Sequence, residues 1–182
     1  GGRETLRIIG VQIPREHSEV ATGTPVLDWT VPREWHIKAA YVKDLAGNRV
    51  VDFRASNLHV VNYSTPLHRQ RMSTETLRDH LHSLEEHPDW VPYRTSYYDE
   101  NWGFCVSHEQ LEALRDDEYE VEIDSTLSDG SLCYAEHFIP GQSDREVLIS
   151  VHVCHPSMAN DCLSGIAVAT VSYTHLTLPT KA

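Results

Sequence analysis

EVLISVHVCHPSMANDCLSGIAVAT, residues 146–170, is the stretch whose reading decides the fold. Five of its first eight residues are apolar, with β-branched Val147, Ile149, Val151 and Val153 among them. Such a run suits a strand covered on both faces, as in a parallel sheet. A polar loop follows, and then a run of small apolar residues with helical character. Strand, loop and helix together form the unit of an α/β fold, in which ligands collect at the carboxyl ends of the strands.

The chemistry sits in the loop. His152 ends the strand, His155 stands three residues on, and Asp161 opens the helix. Pro156 holds His155 out of helical geometry. A carboxylate at a helix start caps the helix and also faces the mouth of the sheet. Zinc takes neutral imidazole nitrogen and carboxylate oxygen at about 2.0–2.2 Å. A carboxylate can also bridge two metals about 3.5–4 Å apart. Three other readings compete with a catalytic metal. Asp161 can be a plain cap beside hydrogen-bonded histidines. His152, Cys154, His155 and Cys162 can be a structural zinc site, although their spacing matches no common finger. Cys154 can be a nucleophile, although an adjacent residue such as His155 is rarely placed to serve as its base. As thiols in an apolar setting, Cys154 and Cys162 read as small buried hydrophobes.

Bulk composition narrows the partners. The chain has 182 residues, 27 acidic and 15 basic side chains, and a formal net charge of −12. Nucleic-acid binding needs clustered Lys and Arg, so that class is excluded. No run approaches 18 apolar residues, so no membrane span is expected. Four cysteines without a CxxC pair read as reduced thiols in a cytoplasmic protein.

Outward from the decisive stretch, residues 2–13 read as a helix end and turn, with Leu6, Ile9 and Ile13 at helical spacing. Residues 25–63 hold short β-type runs broken by Pro32, Ala46-Gly47-Asn48 and Ser56-Asn57. Ser73 and Thr74 cap a predicted helix, TETLRDHLHSL, with Leu77, Leu81 and Leu84 on one side. Ser107 and Gln110 form a capping box for a second helix, with Leu111 and Leu114 facing inward. YEVEIDSTL and SLCYAEHFIP read as a hairpin turning at Ser128-Asp129-Gly130. His36, His59, His68, His80, His82 and His87 read as surface groups. The aromatic stretch WVPYRTSYYDENWGF reads as extended. Its Tyr97, Tyr98 and Trp102 are candidate substrate-binding residues, with ordinary packing as the competing reading.

VSYTHLTLPTKA, residues 171–182, matches nothing before it. The small apolar helix is expected to continue past Ala169, yet the chain turns to β-branched residues and Pro179, and native sequence is expected to stop near Thr170. The tail resembles the translation of a transposase sequencing adapter, and reads as non-native, with a natural C-terminal strand as the alternative.

With these residues in view, a family resemblance emerges. The Ala-Asn-Asp-x-Leu-Ser-Gly step after a strand ending in His resembles the metal-binding segment of M28-type zinc aminopeptidases. The fuller string LISVHVCHPSMANDCLSGIAVA resembles the DUF4910 aminopeptidase-like family with its inserted DUF2172 domain. So do DWTVPREWHIKAAYVKD, NLHVVNYSTPLH, PYRTSYYDENWGFCVSH and GSLCYAEHFIPG, and members often occur with polysaccharide-biosynthesis proteins. The resemblance covers nearly all of residues 1–170. It implies an α/β fold, a partial M28-like zinc-exopeptidase core carrying an inserted, mostly β domain. The implied domains are residues 1–25 and 139–170 for the core, 26–138 for the insert, and 171–182 for the tail. It implies one or two zinc ions held by Asp161 with His155 or His152, with His155 slightly favoured. The general base, a further acidic ligand and a last His are implied beyond residue 170. On that reading the chain is a fragment cut at both ends, which binds zinc weakly and hydrolyses nothing alone. The implied parent is a zinc-dependent hydrolase of a small peptide or amide substrate, and a homo-oligomer is left open. The alternative is a non-catalytic binding or scaffold protein with a degenerate peptidase fold.

Overall fold

The computed structural model describes residues 2–153 and 159–177. In chain order the elements are α1 (Gly2–Ile9), β1 (Glu16–Ala21), β2 (Pro25–Val26), β3 (Trp29–Thr30), β4 (Glu34–Lys43), β5 (Arg49–Asp52), β6 (Leu67–Ser73) and α2 (Thr74–Arg78). Then come β7 (Leu81–His82), β8 (Phe104–Cys105), α3 (His108–Glu112), β9 (Glu118–Ser128), β10 (Ser131–Glu136) and α4 (Ser164–Thr177). The protein is mixed α/β and rich in sheet. It divides into two compact units, residues 21–131 and residues 1–20 with 132–182. No helix among the described residues is long and apolar enough to cross a membrane.

The unit of residues 21–131 is built on an antiparallel sheet in the order β5-β4-β9-β6. The central strand β9 alternates strictly. Tyr119, Val121 and Ile123 are buried while Glu120 and Glu122 face the other side. A period of two puts successive side chains on opposite faces, so one face feeds the core. That face packs with Val42, Val51, Val60, Leu77, Phe104 and Leu114 in one cluster. On the other face, Tyr41 stands opposite Glu122, and Lys43 opposite Glu120. Lys43 and Arg49 each lie 4.4 Å from the Tyr41 ring centre. The Lys43 hydrogen bond holds the Glu120 carboxyl below its ordinary range, against the opposing effect of partial burial.

Two helix expectations fared differently. At α3 both halves of the capping box form: Gln110 N–H donates to Ser107 Oγ at 3.1 Å, and Ser107 N–H donates to Gln110 Oε1 at 2.9 Å. At α2, Ser73 caps as predicted, but the helix ends at Arg78 rather than Leu84. Leu81 and His82 instead form a parallel pair with Phe104 and Cys105. This pairing buries Leu81 in the core, and such tertiary packing overrides local helix preference. It also requires Gly103, because a Cβ there would stand 2.8 Å from the His80 carbonyl oxygen.

The predicted β9–β10 hairpin does not form. β9 pairs with β4 along its length and with β6 up to Ile123, while β10 pairs with β1. The surface reading of His59 is also corrected. It is buried, and its Nδ1 lies 2.8 Å from the Cys105 carbonyl oxygen. His80 is half-buried and stacks on Trp102, with ring centres 3.7 Å apart.

In the other unit, residues 146–153 do not form the predicted strand covered on both faces. No described strand pairs with them. Val147 and Leu148 are 90% and 89% exposed. The period of two survives without a ladder: Ile149, Val151 and Val153 line one cavity of about 230 Å³ with Leu6, Ile166 and Tyr173. The chain then enters a π-helical turn at Ala159–Leu163 and continues as α4. Helix α4 continues past Ala169, as expected, to Thr177, so residues 171–177 are helical rather than the alternative strand.

Candidate functional site

Two places gather the residues singled out from the sequence. The first is the junction from residues 146–153 into α4. Val151 lies against the first turn of α4, where a Cβ on Gly165 would meet Val151 Cγ1 at 3.1 Å. That close approach needs the missing side chain and sets the helix start beside the end of the extended segment. His152, next to Val151, is exposed. Asp161 lies in the π turn and is also exposed, 3.7 Å through its Oδ2 from the thiol of buried Cys162. Single π turns occur often at functional sites. His155 and Cys154 lie outside the described residues. Among the described residues, no cluster of three metal-ligating groups includes His152 or Asp161. Chemically, the imidazole and carboxylate are both zinc-ligand types.

The second place is an aromatic cavity of about 280 Å³ in the unit of residues 21–131. Tyr97 and Tyr98 line it together with Tyr63, Arg33, Asp99 and Glu100. Tyr63 is T-shaped on Tyr97 at 4.8 Å and stacks on Trp35 at 6.0 Å, while Tyr97 is T-shaped on Tyr98 at 5.0 Å. Trp29 leans on Tyr97 at 6.4 Å. Arg33 and Glu100 form an ion pair at the cavity. Burial pushes the Tyr63 hydroxyl up to about 12, with the neighbouring Tyr97 adding to it. Burial also raises Tyr97, helped by Tyr98. Trp102 lies elsewhere, packed against the core and stacked on His80.

Sequence reasoning missed Tyr63. Its backbone is left-handed, with φ of 66°. A bulky residue there is an outlier and costs energy. Nothing in Asn62-Tyr63-Ser64 signals that conformation. Ser64 explains part of it: its Oγ donates to the Val61 carbonyl at 2.6 Å, and its own carbonyl accepts from Trp35 Nε1 at 2.9 Å and Ser125 Oγ at 2.9 Å. The turn is held from three sides.

The sheet-rich, mixed α/β architecture defines the class: an antiparallel β-sheet module that carries an aromatic cavity. Residues 34–126, about half of the chain, match the family described as "Domain of unknown function (DUF2172)". The chain belongs to the DUF2172 family. It is similar to a Clostridium acetobutylicum protein named "Putative polysaccharide biosynthesis protein with aminopeptidase-like domain", at 50% identity over 170 residues. That similarity covers 93% of this chain and 39% of the relative. A solved structure, "Crystal structure of putative peptidase" from Clostridium acetobutylicum, matches with a TM-score of 0.89 and 48% identity. It covers 97% of this chain and 42% of the solved one. The chain thus spans about two fifths of the relatives it matches.

Proposed function

We propose that this chain is part of a zinc-dependent, aminopeptidase-like hydrolase of a small peptide or amide substrate, linked to polysaccharide biosynthesis. The observation that carries this reading is the 50% identity, over nearly the whole chain, to a protein named for both an aminopeptidase-like domain and polysaccharide biosynthesis. The junction of residues 146–153 with α4 supports it, because His152 and Asp161, both zinc-ligand types, stand at the end of the extended segment and just before α4. On this reading the core is of the M28 type, seen also in DUF4910 proteins, and the sheet-rich unit is its insert. Asp161 ligates the metal, with His155 or His152 beside it. One or two zinc ions would supply a polarised carbonyl and an activated water. The remaining ligands and the general base are assigned to the part of the relatives that this chain does not span. Tyr97 and Tyr98 offer apolar ring faces to a substrate group, while Trp102 serves packing. A cytoplasmic setting suits the thiols of Cys105 and Cys162.

Zinc content tests the reading. In a protein of the relatives' full length carrying this chain, one or two tightly held zinc ions per chain are expected. Asp161→Asn should reduce zinc occupancy by at least tenfold, since carboxamide is a far poorer ligand than carboxylate. Full retention of zinc in that variant would overturn the assignment of Asp161.

A further inference from the structure

We propose that His17, Glu19 and Cys133 form a second divalent-metal site, separate from the Asp161 loop and suited to zinc. His17 and Glu19 are two residues apart on β1, so their side chains share one face. Cys133 lies on β10, the strand paired with β1. One ligand atom from each of the three residues lies within 4.8 Å of the others. Imidazole nitrogen, carboxylate oxygen and cysteine sulfur bind zinc at about 2.0–2.3 Å, so tetrahedral ligand atoms stand about 3.4–3.8 Å apart. The Cys133 Sγ to Glu19 Oε1 separation is already 3.4 Å. The remaining separations, at most 4.8 Å, must shorten on binding.

The carboxylate is also held by a guanidinium, which leaves Oε2, its weaker-bonded oxygen, for an ion. Arg3 Nε donates to Glu19 Oε1 at 2.8 Å, and its Nη2 reaches Oε2 at 3.4 Å. Carboxylates that bind metals are commonly held by such an outer hydrogen bond. Three protein ligands leave the fourth zinc position to water, and the exposure of His17 and Glu19 gives an ion direct access. Imidazole with thiolate selects zinc over magnesium or calcium, which prefer all-oxygen sites. Binding replaces the S–H bond of Cys133 with an S–Zn bond. The proton, now donated toward Glu19, leaves to buffer, and no electron is transferred.

Cobalt(II) titration of the 182-residue chain, kept reduced with a phosphine, tests this. Cobalt reports thiolate ligation as an intense near-ultraviolet charge-transfer band that zinc then displaces. One cobalt per chain with that band is expected. Cys133→Ser should abolish the band, His17→Ala should weaken the binding that it reports at least tenfold, and the band should survive in Asp161→Asn. Absence of the band, or its survival in Cys133→Ser, overturns the proposal. A band lost in Asp161→Asn but kept in Cys133→Ser overturns it as well, and places the thiolate site in the 152–162 loop instead. Failure of the hydrolase reading would leave the cobalt result untouched, so the two outcomes are separable.

Discussion

The two units handle apolar residues in opposite ways. In residues 21–131, the apolar positions of β4, β5 and β9 close on Phe104, Leu77 and Val106, all at most 1% exposed. In the other unit, α4 gathers its apolar residues on no single face and has no buried residue, with Val168, Val171 and Leu176 at 55–68% exposure. Val147 and Leu148 are almost wholly exposed. Hydrophobicity alone therefore does not make a core. A run of apolar residues is buried only where a partner removes its surface from water, and a strand exists only where a neighbour takes its backbone hydrogen bonds.

The largest expected effect separates the units by truncation. Phe104→Ala should cost about 3–5 kcal/mol in urea unfolding, because a fully buried ring leaves a cavity. Leu148→Ala should change stability by less than about 0.5 kcal/mol, as exposed substitutions do. Equal losses at the two positions would break the contrast. Next in size is Gly103→Ala. Its new Cβ meets the His80 carbonyl, so β7 and β8 must part, at a cost of about 1–3 kcal/mol. An unchanged melting temperature would show that this approach is not needed. Ser107→Ala removes one half of the α3 capping box and should cost about 1 kcal/mol. The smallest effect is a pH dependence. Burial lowers the affinity of His82 for a proton, with Arg94 and His80 acting in the same direction. The unfolded chain then binds more protons than the folded one as pH falls through the ordinary value of 6.5, so the contribution of His82 is lost there. His82→Gln should flatten stability between pH 7 and 5, and an identical slope in the variant would contradict this.

Local signals were legible wherever the chemistry is local. The Ser107–Gln110 capping box and the Ser73 cap are side chains bonding to their own backbone, and both formed as read. The alternation of β9 was equally readable, because one face is buried along its length. Pairing was not readable. Ser128-Asp129-Gly130 is good turn chemistry, yet the strand after it joins β1 rather than β9, and turn residues alone do not choose the partner. TETLRDHLHSL carries helical spacing, but Leu81 is claimed by Phe104 across a parallel bridge. At the candidate sites, Tyr97 and Tyr98 were visible as an aromatic cluster, whereas Tyr63 depends on a left-handed turn with no sequence mark. His17, Glu19 and Cys133 are more than 110 residues apart in part, and only the pairing of β1 with β10 brings them together.

The most direct test of the central claim is amide hydrolysis. A protein of the relatives' full length carrying this chain should release the chromophore from aminoacyl anilides when loaded with zinc. Asp161→Asn should lower kcat/KM by at least a hundredfold. Hydrolysis at the wild-type rate in that variant, or no zinc-dependent hydrolysis of any aminoacyl amide by the loaded wild type, would contradict the account.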